Sequence, residues 1–203
     1  MSKAEILSKY SKLLVADSKT KTPILEGIHY AYDGSAVVTN RHIMLRLRGA
    51  HSFQQAITLH HKTGAPIEGV YPDVSRVVPE YKKRIDLRFG AELDKTIKHT
   101  KAALTIAEIW SKAQPLIGLE VEFGVAYLAF KADGIDVKAF FANTYELEAS
   151  KRNLNARYLL TALQIFDSAR SDVSVSWDRP GDPILLSNGE DIDIVIMPYR
   201  TTA

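Results

Sequence analysis

Lysines at helical spacing and an uneven charge distribution are the first features of this sequence that could do chemistry. Two helix-forming segments place lysines on or beside their polar faces: Lys9, Lys12, Lys95, Lys98 and Lys101. Residues 1–101 carry 17 basic and 10 acidic side chains, a net charge of +7, whereas residues 102–203 carry 9 and 14, a net charge of −5. A basic half on a chain of net charge +2 favours a polyanionic partner, most commonly nucleic acid. A solvated surface with scattered charges is the alternative interpretation.

Residues suited to enzymatic chemistry are sparse. The sequence contains no Gly-x-Ser-x-Gly, no glycine-rich phosphate loop, no His-Glu-x-x-His and no cysteine. His60 and His61 are adjacent, so on a strand they would point to opposite faces and not chelate one metal simply. Asp191 and Asp193 could share a strand face, where solvated edge acids are the ordinary interpretation. We therefore expect a protein that is not an enzyme, with no metal and no cofactor.

The composition is that of a folded protein. The 203 residues are 46% hydrophobic and 25% charged, which excludes disordered and fibrous classes. No apolar run approaches the roughly 20 residues that a membrane-spanning helix needs. The N-terminal residues lack the apolar core of a secretory signal, and the absence of cysteine fits a reducing compartment. A cytoplasmic location is therefore expected.

Hydrophobic periodicity predicts the elements that must position the charged residues. Apolar side chains recur at helical spacing in residues 4–14, 92–110 and 155–169, and Asn155 is a suitable N-cap for the third helix. Alternating or short apolar runs bounded by turn residues predict the strands. These strands are 27–32, 36–40, 43–47, 56–60, 118–123, 125–131, 135–142, 146–151, 173–177, 183–187 and 192–197.

The order of these elements indicates an internal repeat. Residues 85–142 and 146–197 both follow the order strand, helix, strand, strand, strand, and residues 4–47 follow it without the first strand. Two such units predict an α+β fold with antiparallel sheet and helices on one face. We expect a shortened N-terminal domain at 1–81 and a complete C-terminal domain at 82–203.

Several short segments in this order resemble the bacterial sliding clamp family, the β subunit of DNA polymerase III. Residues 155–163 resemble the start of the clamp's last helix, and residues 182–186 followed by 195–200 (Val-Ile-Met-Pro-Tyr-Arg) resemble its final strands and tail. Residues 38–45 and 69–79 resemble a strand turn of the clamp's middle domain and the segment that leads to its last domain. The resemblance implies the DNA-clamp (processivity) fold.

The resemblance also implies a cleft that binds short peptides of replication proteins, such as DNA polymerase and clamp-loader motifs. Methionine and proline would offer adaptable apolar surface there, while arginine and histidine would supply hydrogen bonds at the edge. Taken singly, each of these residues has an ordinary structural interpretation as core, strand end or surface. The implied cleft residues are Thr39, His42, Met44, Pro72, Arg76, Val77, Val195, Met197, Pro198, Tyr199 and Arg200.

A second implied role is the encirclement of double-stranded DNA without sequence specificity by a homo-oligomeric ring. In this role Lys9, Lys12, Lys95, Lys98 and Lys101 would meet phosphates as flexible point charges, so that the protein could slide. The chain departs from the family because it lacks a counterpart of the first domain, has a shortened middle domain, and carries Tyr199 where an aliphatic residue is usual. Such a chain suggests a phage or mobile-element protein. The alternatives are a peptide-binding regulator or decoy that forms no ring, and a DNA-acting enzyme on an unrelated α+β fold.

Overall fold

The computed structural model describes residues 1–17, 22–74, 76–81, 85–132, 134–145, 148–179 and 181–199. Within these residues lie three α-helices, twelve strands and one short 3₁₀ helix, Pro23–Glu26. The helices are α1 (Lys3–Leu14), α2 (Ala91–Trp110) and α3 (Ala156–Ala169). The strands are β1 (Gly27–Tyr30), β2 (Ala36–Thr39), β3 (Ile43–Leu47), β4 (Ile57–His60), β5 (Ile85–Leu87), β6 (Leu116–Glu122), β7 (Val125–Ala132), β8 (Ile135–Asn143), β9 (Ser150–Asn155), β10 (Val173–Ser176), β11 (Ile184–Ser187) and β12 (Ile192–Ile196).

The strands form two antiparallel sheets. The larger has the order β4-β1-β2-β3-β12-β11-β10-β5, and the smaller has the order β8-β7-β6-β9. In the larger sheet β3 pairs with β12 over five residues, with Met44 opposite Val195. The last strand of the chain therefore continues the sheet begun by the N-terminal region. The division into domains at 1–81 and 82–203 stays a proposal.

The helices cover one side of the sheets, as their apolar stripes predict. The main core contains Leu93 of α2 and Leu163 and Phe166 of α3, packed with Trp177 and Phe141. All five side chains are at most 1% exposed. Helix α1 begins with a capping box, in which Ser2 and Glu5 each accept a hydrogen bond from the other's backbone N–H. Asn155 caps α3 by accepting a hydrogen bond from Arg157 N at 2.9 Å, as predicted.

A smaller apolar cluster lies on the other face of the larger sheet. Its strand residues are Val37, Met44, Leu185 and Val195, and the chain around Leu25 and Tyr71 covers them. Burial of this second face explains why all five residues of β12 are buried, whichever face they point to. The cluster brings three distant parts of the sequence together.

Three details of the sequence-based prediction are corrected by the structure. Strand β9 begins at Ser150 and continues to Asn155, so the prediction of 146–151 is shifted; residues 146 and 147 lie outside the described part. Pairing with β6 along this whole length explains the shift, because the ladder of hydrogen bonds overrides the low strand propensity of the asparagines. His61 follows the end of β4 in a turn, and its ring centroid lies 4.9 Å from that of His60 on the same side. Asp193 is not a solvated edge acid, because it is 1% exposed on a central strand.

No helix within the described residues combines the length and apolar character needed to cross a membrane.

Candidate functional site

A cleft of about 340 Å³ opens over the smaller apolar cluster. It lies where the β2–β3 turn, the end of β12 and the segment after Tyr71 meet, so three separated parts of the sequence form its walls. Most of its lining is aliphatic, and its polar groups belong mainly to the turn. The described lining residues are Leu25, Thr39, Arg41, His42, Ile43, Met44, Pro72, Asp73, Val74, Val77, Val195 and Met197.

The β2–β3 turn is held in one conformation by its own side chains. Thr39 Oγ1 donates to the Ile43 carbonyl at 2.8 Å and accepts from Arg41 N at 3.0 Å. Asn40 Oδ1 accepts from the backbone N–H groups of His42 and Ile43, each at 3.0 Å. Short polar side chains commonly fix turns in this way, because they replace backbone partners that the turn leaves unpaired. The turn therefore presents Arg41 and His42 at a defined place on the rim.

The cleft floor is formed by β3 and β12. Met44 and Val195 face each other in the ladder and are 3% and 1% exposed. Met197 follows β12, donates its backbone N–H to the His42 carbonyl at 2.9 Å and is 37% exposed. Its side chain thus belongs to the accessible part of the lining. A flexible thioether and branched aliphatic side chains suit an apolar ligand of variable shape.

An aromatic contact holds the opposite wall. The ring of Tyr71 stacks on that of His29, with centroids 4.4 Å apart and planes 7° apart. His29 Nδ1 lies 3.0 Å from Thr58 Oγ1. Burial lowers the pKa of His29 and raises that of Tyr71, so both rings stay neutral at physiological pH. The wall residues Pro72, Val74 and Val77 follow directly from this anchored position.

Most of the cleft residues implied by the resemblance lie together. Thr39, His42, Met44, Pro72, Val77, Val195 and Met197 all line the cavity. Arg76 is exposed outside the lining, and Pro198 and Tyr199 are not among the lining residues either. Tyr199 still touches the rim through a stacked contact with His42, at a centroid distance of 6.0 Å. Arg200 lies outside the described residues.

Five lining residues were not anticipated from the sequence: Leu25, Arg41, Ile43, Asp73 and Val74. Ile43, Asp73 and Val74 adjoin anticipated residues, so their neighbours were the available signal. Leu25 reaches the cleft because the 3₁₀ helix folds back over the sheet, for which the sequence has no periodic signal. Arg41 likewise adjoins the anticipated His42, whereas its φ of 77° has no signal in the sequence.

The five implied DNA-binding lysines are all exposed on the outer helices of the helix layer. Lys9 and Lys12 lie on α1, and Lys95, Lys98 and Lys101 lie on α2, with α3 packed between these helices. Lys9 Nζ lies 3.3 Å from Ser168 Oγ, and Lys95 Nζ lies 5.0 Å from the centre of the Phe140 ring. Both contacts leave the ammonium groups at the surface.

Helix α3 contributes little positive charge to this layer. Its Arg157 forms an ion pair with Glu108 of α2 and donates to the Lys112 carbonyl at 3.0 Å. This guanidinium therefore ties α3 to the end of α2. The exposed lysines of α1 and α2 accordingly flank α3 on both sides.

Comparisons with known proteins identify the fold. No protein-family model matches the chain, and no curated protein matches its sequence. The DNA polymerase sliding clamp of Bacillus subtilis superimposes on 100% of this chain and 64% of its own, with a TM-score of 0.79 and 16% identity. A sliding clamp of Pseudomonas aeruginosa covers 99% of this chain and 65% of its own, with a TM-score of 0.80 and 13% identity. The Caulobacter crescentus polymerase III β protein covers 99% and 65%, with a TM-score of 0.76 and 19% identity.

The chain thus has the sliding-clamp fold, which confirms the predicted α+β clamp architecture and excludes an unrelated fold. It spans about 64% of the length of the clamps it matches. At these identities the likeness concerns the fold alone.

Proposed function

We propose that this protein is a non-enzymatic, sliding-clamp-like processivity factor that associates with DNA and binds peptide motifs of a polymerase and a clamp loader in the cleft. The observation that carries the proposal is the convergence of seven implied residues on one apolar cavity of about 340 Å³. The chain that carries this cavity has the clamp fold, and the resemblance to clamps implies a peptide site formed by these residues.

The cleft is suited to a short apolar peptide. Its volume falls in the range of ligand pockets and is enough for two or three aliphatic or aromatic side chains. Met197 and Val77 supply accessible apolar surface, and the turn supplies hydrogen-bond donors at the rim. A peptide of the Gln-x-x-Leu-x-Phe or Gln-Leu-x-Leu-Phe kind would place its apolar side chains inside, with micromolar affinity or about −8 kcal/mol.

The lysines of α1 and α2 would attract the DNA backbone. Lysine is a hydrated point charge on a flexible stem, so it contributes affinity without fixing the protein to one register. Contacts to phosphates carry no sequence information, which agrees with the sliding role proposed here. The surface of α3, which lies between α1 and α2, is not needed for these phosphate contacts.

The number of chains in a ring would depend on whether residues 1–81 count as a complete clamp-like domain or as a single unit. Two clamp-like domains per chain, 1–81 and 82–203, would close a ring as a head-to-tail trimer, because heterologous interfaces form rings when the rotation closes. If residues 1–81 count as a single unit, four chains or no ring is favoured. The solution mass between 1 and 100 µM, roughly the range over which such interfaces form, distinguishes these cases.

A second candidate is a peptide-binding regulator or decoy that forms no ring. The observation in its favour is that the outer edge of β4 is already covered. Ala65 O accepts from His60 N at 2.8 Å, Ile67 N donates to Thr58 O at 2.9 Å, and Pro66 lies opposite Leu59. Proline has no N–H, so this edge is a poor template for a further strand. A monomer at all concentrations that still binds peptide would support this candidate.

The decisive experiment measures binding of a fluorescent peptide, acetyl-Gln-Leu-Asp-Leu-Phe-amide, by anisotropy. Met197→Ala should weaken binding by about 1–2 kcal/mol, because it removes apolar contact from the cleft. Arg76→Ala should change it by less than about 0.5 kcal/mol, because Arg76 lies outside the lining. Ile109→Ala, a change at a 72% exposed side chain of α2, is the apolar control. Absence of binding to the folded wild type at millimolar peptide would contradict the cleft assignment.

A further inference from the structure

Arg41 occupies a backbone conformation that favours glycine. Its φ is 77°, and among the described residues Phe123 and Arg170 are the other non-glycine residues with positive φ. Arg170 ends α3, where a left-handed residue is ordinary. Arg41 instead lies in a tight strand connection at the mouth of the cleft. In such a conformation the Cβ atom lies too close to the following carbonyl oxygen, so an arginine at this position destabilises the turn relative to glycine.

The surrounding turn maintains this strained conformation. The two bonds of Thr39 and the two bonds accepted by Asn40 fix the backbone on both sides of Arg41. Asn40 Nδ2 also donates to Tyr158 OH at 3.2 Å, which ties the turn to α3. A glycine would adopt the same turn without strain. Strain that is held in place at a ligand site points to a use for the side chain.

The guanidinium is directed along the rim of the cleft. Its Nη2 donates to Thr22 Oγ1 at the start of the 3₁₀ helix that carries Leu25. Arginine has five N–H donors, and the described residues engage one of them, so the planar group retains donors for a carboxylate. His42 lies beside it on the turn, while Asp73 supplies the carboxylate of the opposite wall. A ligand carboxylate would therefore lie on the Arg41 side and away from Asp73.

From this geometry we propose that the cleft selects peptides that combine apolar anchors with a carboxylate, and that Arg41 is the residue that recognises this carboxylate. The inference rests on the proposed peptide-binding function and adds the chemical class of the partner. The carboxylate could belong to an Asp or Glu side chain or to the C-terminus of the partner chain. Both sources offer the same two oxygens to the guanidinium.

The test compares three peptides that differ only in charge: acetyl-Gln-Leu-Asp-Leu-Phe-amide, its Asn analogue as amide, and the Asn analogue with a free C-terminus. Wild-type protein should bind one of the two carboxylate peptides about five- to ten-fold more tightly than the neutral peptide, and added salt should reduce this ratio. The preferred peptide identifies the source of the carboxylate. Arg41→Gly should abolish the preference for a carboxylate peptide over the neutral peptide, since glycine fits the turn and only the guanidinium is lost. Arg41→Lys should keep part of the preference.

Each result bears on a different claim. Equal binding of all three peptides by the wild type, or an unchanged preference in Arg41→Gly, would overturn the role of Arg41 and leave the cleft itself intact. Failure of all three peptides to bind the folded wild type would instead contradict the proposed function. Asp73→Asn gives an independent check, because removal of the opposing carboxylate should increase the ratio of the affinity for the acidic peptides to that for the neutral one.

Discussion

The ring of His42 lies parallel to the ring of Tyr199, with centroids 6.0 Å apart and planes 9° apart. This contact joins the β2–β3 turn to the segment that follows β12. The same two segments are linked by the bond from Met197 N to the His42 carbonyl at 2.9 Å. Tyr199 N in turn donates to the Asn153 carbonyl at 2.7 Å, so the C-terminal segment is fixed on both sides. The edge of the cleft is therefore held by contacts from both the β2–β3 turn and β9.

Tyr199→Ala should widen the cleft edge, because it removes an aromatic ring from the rim. We expect a peptide ending in Phe to gain affinity relative to a matched peptide ending in Leu, by about three-fold or more, since steric exclusion of large side chains is relieved. Anisotropy titrations with both peptides measure this ratio. Tyr199→Phe is the control, because it retains the ring and the stacked contact. The same ratio in both variants would show that Tyr199 does not restrict the cleft.

Replacement of Lys95, Lys98 and Lys101 by glutamate should weaken binding to double-stranded DNA and reduce its salt dependence. Each lost phosphate contact removes about 0.9 from the slope of log K against log salt concentration. Electrophoretic or anisotropy titrations at several salt concentrations give this slope, and peptide binding should not change. The control is Lys131→Glu, which is compared with each of the three single Lys→Glu variants. Lys131 is exposed, and it points away from α2 because its neighbour Phe130 packs toward that helix. An identical slope in the triple variant would assign no DNA contact to these lysines.

Asp193→Ala should destabilise the fold by about 3 kcal/mol, because it leaves partly buried arginines without a counter-charge. Asp193 Oδ2 lies 3.1 Å from Arg46 Nη2 and 2.5 Å from Arg48 Nη2, and Oδ1 accepts from Ser187 Oγ at 2.8 Å. The bonds to Arg46 and Arg48 join β12 to the end of β3 across the junction between the two halves of the chain, and the bond from Ser187 joins β11 to β12. Urea unfolding measures the loss.

Asp191→Ala is the matched control for this change. Asp191 is two residues away and pairs with Lys3 at 2.8 Å, but both side chains are about one-third exposed. An exposed pair of this kind contributes at most about 1 kcal/mol. Equal losses for the two variants would mean that the buried network does not stabilise the junction.

Local sequence patterns predicted most of the elements, because each depends on neighbours within a few residues. The stripe of Leu159, Leu163 and Phe166 and the cap at Asn155 are local signals, and α3 follows them closely. The pairing of β12 with β3 is not local, since it joins Asp193 to Arg46. No periodicity identifies which strand will lie beside another, so the burial of Asp193 was unforeseen.

The cleft shows the same division between local and distant information. Thr39 and Met44 could be named because they belong to a recognisable strand turn. Leu25 could not, because its place depends on how a 3₁₀ helix folds back over the sheet. Arg41 belongs to the same turn and adjoins His42, but its backbone conformation could not be predicted, since a positive φ at a non-glycine residue leaves no mark on residue type. Sequence reasoning therefore named the floor of the cleft more completely than its rim.

Phe123→Asn should stabilise the protein, because it relieves backbone strain at the β6–β7 hairpin. Glu122 pairs with Val125, which leaves a two-residue loop of Phe123 and Gly124 with φ of 49° and 81°. Positive φ at both positions is the pattern of a type I′ turn, whose first position favours asparagine. Phe123 is 90% exposed, so little buried surface is lost in the replacement. We expect a gain of about 1 kcal/mol, or about 2–4 °C in Tm for a chain of this size.

Thermal unfolding followed by circular dichroism measures this gain. Tyr145→Asn is the matched control: it removes a 97% exposed aromatic ring from the neighbouring loop, at a residue without positive φ. The two loops are joined by the bond from Thr144 N to the Gly124 carbonyl at 2.9 Å, so solvent and surroundings are similar. Tyr145→Asn should leave Tm within about 1 °C of the wild type, since exposed substitutions away from strained positions usually have small effects. Equal shifts in both variants would attribute the gain to lower surface hydrophobicity, and a lower Tm for Phe123→Asn would show that the phenylalanine stabilises its turn.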